Sequence, residues 1–177
     1  MEISKVAFLE AHIFDNSQSM MGGILVTDAD TKPLEFRVTA PVKPTNFQRT
    51  LYGDVLNEHI LVELIGVPLI NAINEEIDLI LVRDPLFLGI NNKQGIRVVR
   101  VFKEGESNSG NACQPEELKS SPGEKIKTFA EISKKFESEL AGITDRLNIM
   151  SEVRNLLEPF ERLKTACEQV QQQKTGE

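Results

Sequence analysis

The sequence predicts an α+β fold: a mixed β-sheet in the order β-β-β-α-β-β, followed by a long C-terminal amphipathic, coiled-coil-like helix. Three observations predict it. Three segments rich in β-branched and aromatic residues open the chain, and the third alternates strictly between apolar and polar. A capped helical pattern then leads to a continuous apolar run, IDLILV at 77–82, that suits a strand buried on both faces. After a polar stretch the pattern turns helical, with apolar residues spaced alternately three and four apart.

Lys5 to Phe14 reads as the first strand and Asp15 to Ser19 as a polar turn. Gly22 to Thr27 is the second strand, with Gly22-Gly23 easing the turn before it. Asp28 to Pro33 is a turn, because Asp and Thr bond local backbone and Pro fixes φ. In the third strand Leu34, Phe36 and Val38 share a dry face, and Glu35, Arg37 and Thr39 a wet one. Strands two and three form an antiparallel hairpin that strand one joins. Pro41 and Pro44 stop the sheet, and Thr45 with Gln48 fits a capping box. A helix follows from Asn46 to about Ile65. Phe47, Leu51, Val55 and Val62 are expected to face the sheet, with Leu56, Ile60 and Leu64 on another apolar face. Gly66 and Pro68 break it, and Pro68 opens a short helix ending near Glu76. Asp84-Pro85 ends the fourth strand, 91–95 is a turn, and Ile96 to Phe102 is the last strand.

Domain boundaries follow from composition. Residues 1–102 hold the mixed-sheet domain, and 103–123 read as a flexible polar linker. Residues 124–172 form a helical tail whose seam includes Phe136, Leu140, Ile143, Leu147 and Met150. A straight helix over 124–158 would be ~50 Å long at 1.5 Å per residue. A domain of this size has a radius of gyration of only ~13 Å. The seam is therefore expected to meet a second copy or another protein. Pro159 bends or divides the tail, and 171–177 fray.

The 177 residues carry a net charge of −7 and a pI near 5.0. That balance disfavours nucleic acid as a partner, since polyanions are bound through clustered Lys and Arg. No apolar run approaches the ~20 residues of a membrane helix, so no membrane is expected. The opening residues carry no basic-then-apolar leader pattern, and Cys113 and Cys167 form no disulfide or metal pattern. The location expected is the cytoplasm, with reduced thiols.

No phosphate-binding GxxxxGKS/T, GxGxxG or GxSxG motif is present, and His12 and His59 are isolated. The main reading is therefore a non-enzymatic interaction module without a cofactor, which oligomerises or docks a partner through its tail. Two alternatives stand beside it. The β-β-β-α-β order resembles the front half of the ribonuclease H-like fold. Nucleases of that fold carry carboxylates on the first strand, on the first helix and after the fourth strand, where they hold paired divalent metals. The resemblance implies Glu10, Asp54, Glu58 and Asp84 as catalytic residues, magnesium as the metal, and DNA or RNA as substrate. Two departures weaken it: Glu10 stands where the family usually has Asp, and no later helix before the linker supplies the last carboxylate. The other alternative is an anion- or nucleotide-sensing domain, with Lys43, Arg49 and Arg37 near the start of the capped helix. The string GGILVTD, PLEFRVTAPVKPT and QRTLYG, over about residues 22–90, also resembles a bacterial family with no activity to transfer.

Overall fold

The computed structural model describes residues 2–14 and 19–175, so most of the turn expected at 15–19 lies outside the described residues. Among the described residues, seven strands make one mixed sheet: β1 (Lys5–Ile13), β2 (Met20–Asp28), β3 (Pro33–Val38), β4 (Leu79–Val82), β5 (Val98–Lys103), β6 (Glu116–Leu118) and β7 (Thr128–Glu131). Their spatial order is β3-β2-β1-β4-β5-β7-β6. β1 runs antiparallel to β2 and parallel to β4, β4 is parallel to β5, and β7 returns antiparallel to both β5 and β6. The first five strands thus stand in the order β3-β2-β1-β4-β5, with β1, β4 and β5 parallel.

Helices cover both faces. Alternation along the strands sends Val6, Phe8, Leu79, Leu81, Val99 and Val101 to one side. There they pack under α2 (Leu140–Ser151) and α3 (Glu158–Thr175). Ala7, Leu9, Ile24, Val26, Ile80, Val82 and Val98 go to the other side. They pack under the composite helix α1 (Asn46–Ala72) and the 3-10 segment Pro85–Asn92. By length and composition α1 is apolar enough to cross a membrane; its buried residues between Leu56 and Ile70 lie on the sheet.

The Thr45–Gln48 capping box forms as the sequence implies. The face of α1 differs from expectation. Leu56, Ile60, Leu61, Val62, Ile65 and Leu69 are buried, whereas Phe47, Leu51 and Val55 are 71%, 66% and 59% exposed. A 3-10 turn at Gly53–Val55 and a π-turn at Ile60–Gly66 reset the helical phase, so a constant 3.6-residue period misplaces the first two turns. The dry face expected on β3 is also incomplete: Leu34 and Phe36 stay exposed, because β3 is an edge strand reached only by the end of α1.

Gly22 and Gly23 sit within β2 and admit the helices. A Cβ on Gly22 would lie 2.1 Å from Ile65 of α1, and one on Gly23 would lie 2.7 Å from the Cys167 sulfur of α3. The pair serves close approach on opposite faces, not a turn.

The region after Lys103 is corrected most. The stretch read as a linker contains β6, and the stretch read as one helix from 124 contains β7, a 3-10 turn at Lys134–Glu139, α2 and α3. The chain turns at 152–157, and Pro159 falls in the first turn of α3, where a missing amide costs nothing. Two shorter helices fit on the sheet where one ~50 Å rod could not. Leu140, Ile143, Leu147 and Met150 are core residues, and Phe136 packs half-buried at their edge under the Arg97 guanidinium, 3.7 Å from its ring centre. The ridge assigned to a partner is thus covered by the protein's own sheet, and a core helix shows the same 3-4 spacing as a seam. The helix runs on to Thr175 where fraying was expected.

Leu147→Ala is expected to cost about 2–5 kcal/mol, the usual range for a buried Leu truncated to Ala. Urea unfolding at several protein concentrations checks this: the wild-type midpoint should not move with concentration, as it would if the ridge were an intermolecular interface.

Candidate active site

β1 and β4 are parallel neighbours, and the chain leaves them toward opposite ends of the sheet. Such a switch point opens a crevice beyond the carboxyl ends of the strands. Leu9 pairs with Val82, so Glu10 and Arg83 emerge side by side as the ladder ends. Asp84 follows at once and caps the 3-10 segment, its Oδ1 accepting from the Leu86 amide at 2.9 Å. The crevice here is a cleft of about 610 Å³ lined by Glu10, His12, Asn57, Asp84, Lys164 and Glu168, among others. Past Glu10 and Lys164 it continues into a recess of about 360 Å³. Arg83, Lys103 and Thr128 line that recess, with the acids Glu124, Glu158 and Glu161 also at its walls.

α3 supplies the other side of the cleft. Phe160, Leu163 and Cys167 face the core, which leaves Lys164 and Glu168, four residues apart, on the flank toward the cleft. Gly23 is the register partner of Glu10, and its missing Cβ is what lets Leu163 and Cys167 come close. Phe160 meets Phe8 edge-on with ring centres 5.3 Å apart, which fixes the start of α3.

The electrostatics are local. Burial pushes the Glu10 carboxyl up to about 7; Arg83 opposes that rise, Asp84 adds to it, and Lys164 opposes it. Burial holds the His12 imidazole below its ordinary value, with Lys164 acting the same way and Glu168 opposing. Burial likewise raises the Cys167 thiol to about 12, which makes it an inert packing group. Two buried nitrogens at the cleft and recess, His12 Nε2 and Arg83 Nε, have no hydrogen-bond partner among the described residues.

Of the acids named from the sequence, Glu10 and Asp84 come together. Asp54 is exposed on the 3-10 turn of α1. Glu58 points to a separate hollow with His59, Gly89 and Lys93. The preceding residue Asn57, rotated about 100° around the helix, lines the cleft in place of Glu58. Glu168 and Lys164 were missed, because the region holding them was read as a detached tail; their signal was the i, i+4 pair flanking the apolar stripe of α3. Of the anion candidates, Arg37 is engaged by Glu35 at 2.7 Å, and Lys43 is exposed in the loop before α1. Arg49 is in the first turns of α1, whose capping box already occupies two polar groups at its start. Cys113 and Cys167 are free and buried.

No family model matches the chain, and no curated protein matches it. Solved structures do. Endonuclease V of Streptomyces avermitilis aligns with a TM-score of 0.59 at 12% identity, over 97% of this chain and 82% of that one. Endonuclease V of Bacillus subtilis aligns with a TM-score of 0.54 at 14% identity, over 99% and 84%. Endonuclease V of Ciona intestinalis, solved with a 23mer DNA containing an inosine followed by a ribo-adenosine, aligns at 0.46 with 11% identity over 78% and 76%. The α+β fold is therefore that of the endonuclease V structures. The two bacterial endonuclease structures, both above a TM-score of 0.5, overturn the reading as a non-enzymatic, oligomerising protein-binding module. The expectation against nucleic acid falls with it: a whole-chain charge of −7 does not describe the local charge of one cleft.

The raised Glu10 value has a stability consequence. Between about pH 4.5 and 7 the folded protein holds a proton on Glu10 that the unfolded chain has released, so stability falls as pH rises through that window. Glu10→Gln should remove this dependence and gain on the wild type from pH 4.5 to pH 7. Parallel denaturation series, with a carboxyl-carbon NMR titration of Glu10 expected to centre near 7, check it; a midpoint near 4.5 would show a solvated carboxylate.

Proposed function

We propose that the chain is a metal-dependent nuclease acting on DNA or RNA at the cleft between Glu10, Asp84 and α3. The observation that carries the proposal is convergence. Two carboxylates far apart in sequence meet at the carboxyl ends of adjacent parallel strands, inside a cleft, in a fold shared with two endonucleases at TM-scores above 0.5.

The residues fit a magnesium ion that enters with a phosphate. Magnesium takes hard oxygen donors and is commonly held by one or two carboxylates, with substrate phosphates and water completing its shell. Among the described residues no three His, Cys, Asp or Glu side chains gather closely enough to hold an ion alone, which argues against a pre-built cage. Burial and the neighbouring Asp84 charge hold Glu10 on the edge of protonation, and a divalent cation would relieve that cost. Glu10 and Asp84 would hold the ion. When bound, it supplies an attacking water of lowered pKa and steadies charge on the leaving oxygen.

The other residues act on the substrate directly. Lys164 and Arg83 flank Glu10 and offer cationic donors to a non-bridging phosphate oxygen. The His12 imidazole lines the cleft with its Nε2 unpartnered among the described residues, and in its neutral form it can accept a proton from water. Glu168, beside it, can orient that ring or a water.

Magnesium-dependent cleavage of DNA or RNA should be abolished in Asp84→Asn and fall at least about 100-fold in Glu10→Gln, the scale of removing a group that stabilises transition-state charge. Asp54→Asn and Glu58→Gln should cleave like the wild type. Gel assays on labelled single- and double-stranded substrates, with and without magnesium, decide it; an unaltered rate in Asp84→Asn removes the proposal.

A further inference from the structure

Arg83, the residue that emerges beside Glu10, is held at both its backbone and its side chain. Its carbonyl accepts from Arg100 Nε at 3.0 Å. Arg100 is itself fixed, because it donates to the Ser107 carbonyl at 2.9 Å and to the fully buried Glu131 carboxylate at 2.8 Å. The Arg83 guanidinium donates through Nη2 to Glu106. Both grips come from one stretch of chain, residues 100–106.

A tight turn sets Glu106 in place. The Glu106 amide donates to the Lys103 carbonyl at 3.2 Å, which closes the turn at the end of β5. Gly105, at its third position, has a φ of +92°, a conformation that glycine adopts without strain. Glu106 Oε2 accepts from the Lys103 amide at 3.3 Å, and Oε1 accepts from Arg83. With one oxygen tied to the turn, the carboxylate presents the other in a fixed direction.

Two carboxylates compete for the Arg83 guanidinium. Glu10 emerges next to it, and Arg83 is the charge that acts most strongly on the Glu10 carboxyl. Among the described residues, however, the ion pair that forms is with Glu106. An Arg83–Glu10 pair would close the neck between cleft and recess and occupy the carboxylate that a metal ion needs. Glu106 prevents that closure. The side chains of the Arg83–Glu106 pair are 24% and 29% exposed, so as stabilisation it is worth little. Its value is positional. A guanidinium carries several N–H donors in a rigid fork, and one carboxylate does not exhaust them. The buried Arg83 Nε has no partner among the described residues, so the fork is not satisfied by the protein alone.

We propose that Glu106 is a positioning residue of the cleft: it holds the Arg83 guanidinium off Glu10, in the recess wall, where its remaining N–H groups meet a non-bridging oxygen of the phosphate that Glu10 and Asp84 receive. This rests on the nuclease reading of the cleft. The test is a double-mutant cycle on the full chain, with labelled single-stranded DNA and RNA and magnesium. Arg83→Ala should lower kcat at least about 100-fold. Glu106→Ala should lower kcat about ten-fold with KM and the thermal midpoint close to wild type, since a misplaced contact group costs on that scale. In the Arg83→Ala background, Glu106→Ala should cost no more than about two-fold, because the group it positions is gone. Glu106→Gln, which keeps an acceptor oxygen for the guanidinium, should lose less than Glu106→Ala, and it carries the cycle if circular dichroism shows Glu106→Ala misfolded. Wild-type kcat in either single alanine variant, or an equal loss from Glu106→Ala in both backgrounds, overturns the positioning role and leaves the nuclease reading standing. A wild-type chain that cleaves no nucleic acid overturns both.

Discussion

The parallel pairing of β1 with β4 is the constraint on which the rest depends. Over the paired stretches Val6–Leu9 and Leu79–Val82 both strands are buried on both faces, and every position there is apolar. Polar chemistry has room only where the ladder runs out. Val82 is the last buried residue of β4, and Leu9 its partner; one step further the chain carries Glu10, Arg83 and Asp84. Burial that stabilises the pair also strips water from its end, and this is why Glu10 is expensive to ionise there. The same apolar packing that holds the fold sets the electrostatic condition of the cleft.

A second constraint is the distance at which the helices sit. Gly22 and Gly23 present no side chain to either face, so α1 and α3 press onto β2 at adjacent residues. For α3 this brings Leu163 and Cys167 against the strand beside Glu10, and Lys164 and Glu168 follow by helical geometry. A side chain at Gly23 would push α3 outward and carry the cleft's cation with it.

The sheet was largely legible because strand signals are local. Strict alternation, capped turns and an apolar run each report a neighbourhood of a few residues. β1, β2, β4 and β5 and the capping box could all be read that way; Glu10 and Asp84 were named only through the resemblance of the strand order to the ribonuclease H-like fold. Other features depended on distant partners. Phe47, Leu51 and Val55 have the spacing of a core face, but the turn at Gly53 and the π-turn from Ile60 rotate them out. β6 and β7 are short and polar because they complete an edge, and short edge strands resemble linker by composition. The ridge Leu140, Ile143, Leu147 and Met150 has seam periodicity whether its mate is another helix or a sheet. Spacing specifies that a face is buried; it does not specify against what. Once that region was set apart as a tail, Lys164 and Glu168 could not be placed beside Glu10.

Charge carries the same lesson at the cleft. A total of −7 spread over the surface says little about a phosphate approaching Glu10, since charges beyond about 10 Å are screened at ordinary ionic strength. The charges that bear most on the Glu10 carboxyl are Arg83, Asp84 and Lys164. Glu168 lines the same cleft, Glu124, Glu158 and Glu161 line the recess with Lys103, and Glu106 pairs with Arg83. Acids outnumber bases there, so the crevice favours a phosphate together with a cation over a phosphate alone. A phosphodiester arriving with a divalent ion satisfies both halves of that balance: the ion favours the ionised carboxylates, and the phosphate meets the two cationic side chains. Opposed charges in one crevice suit a doubly charged ion and an anionic strand better than either alone.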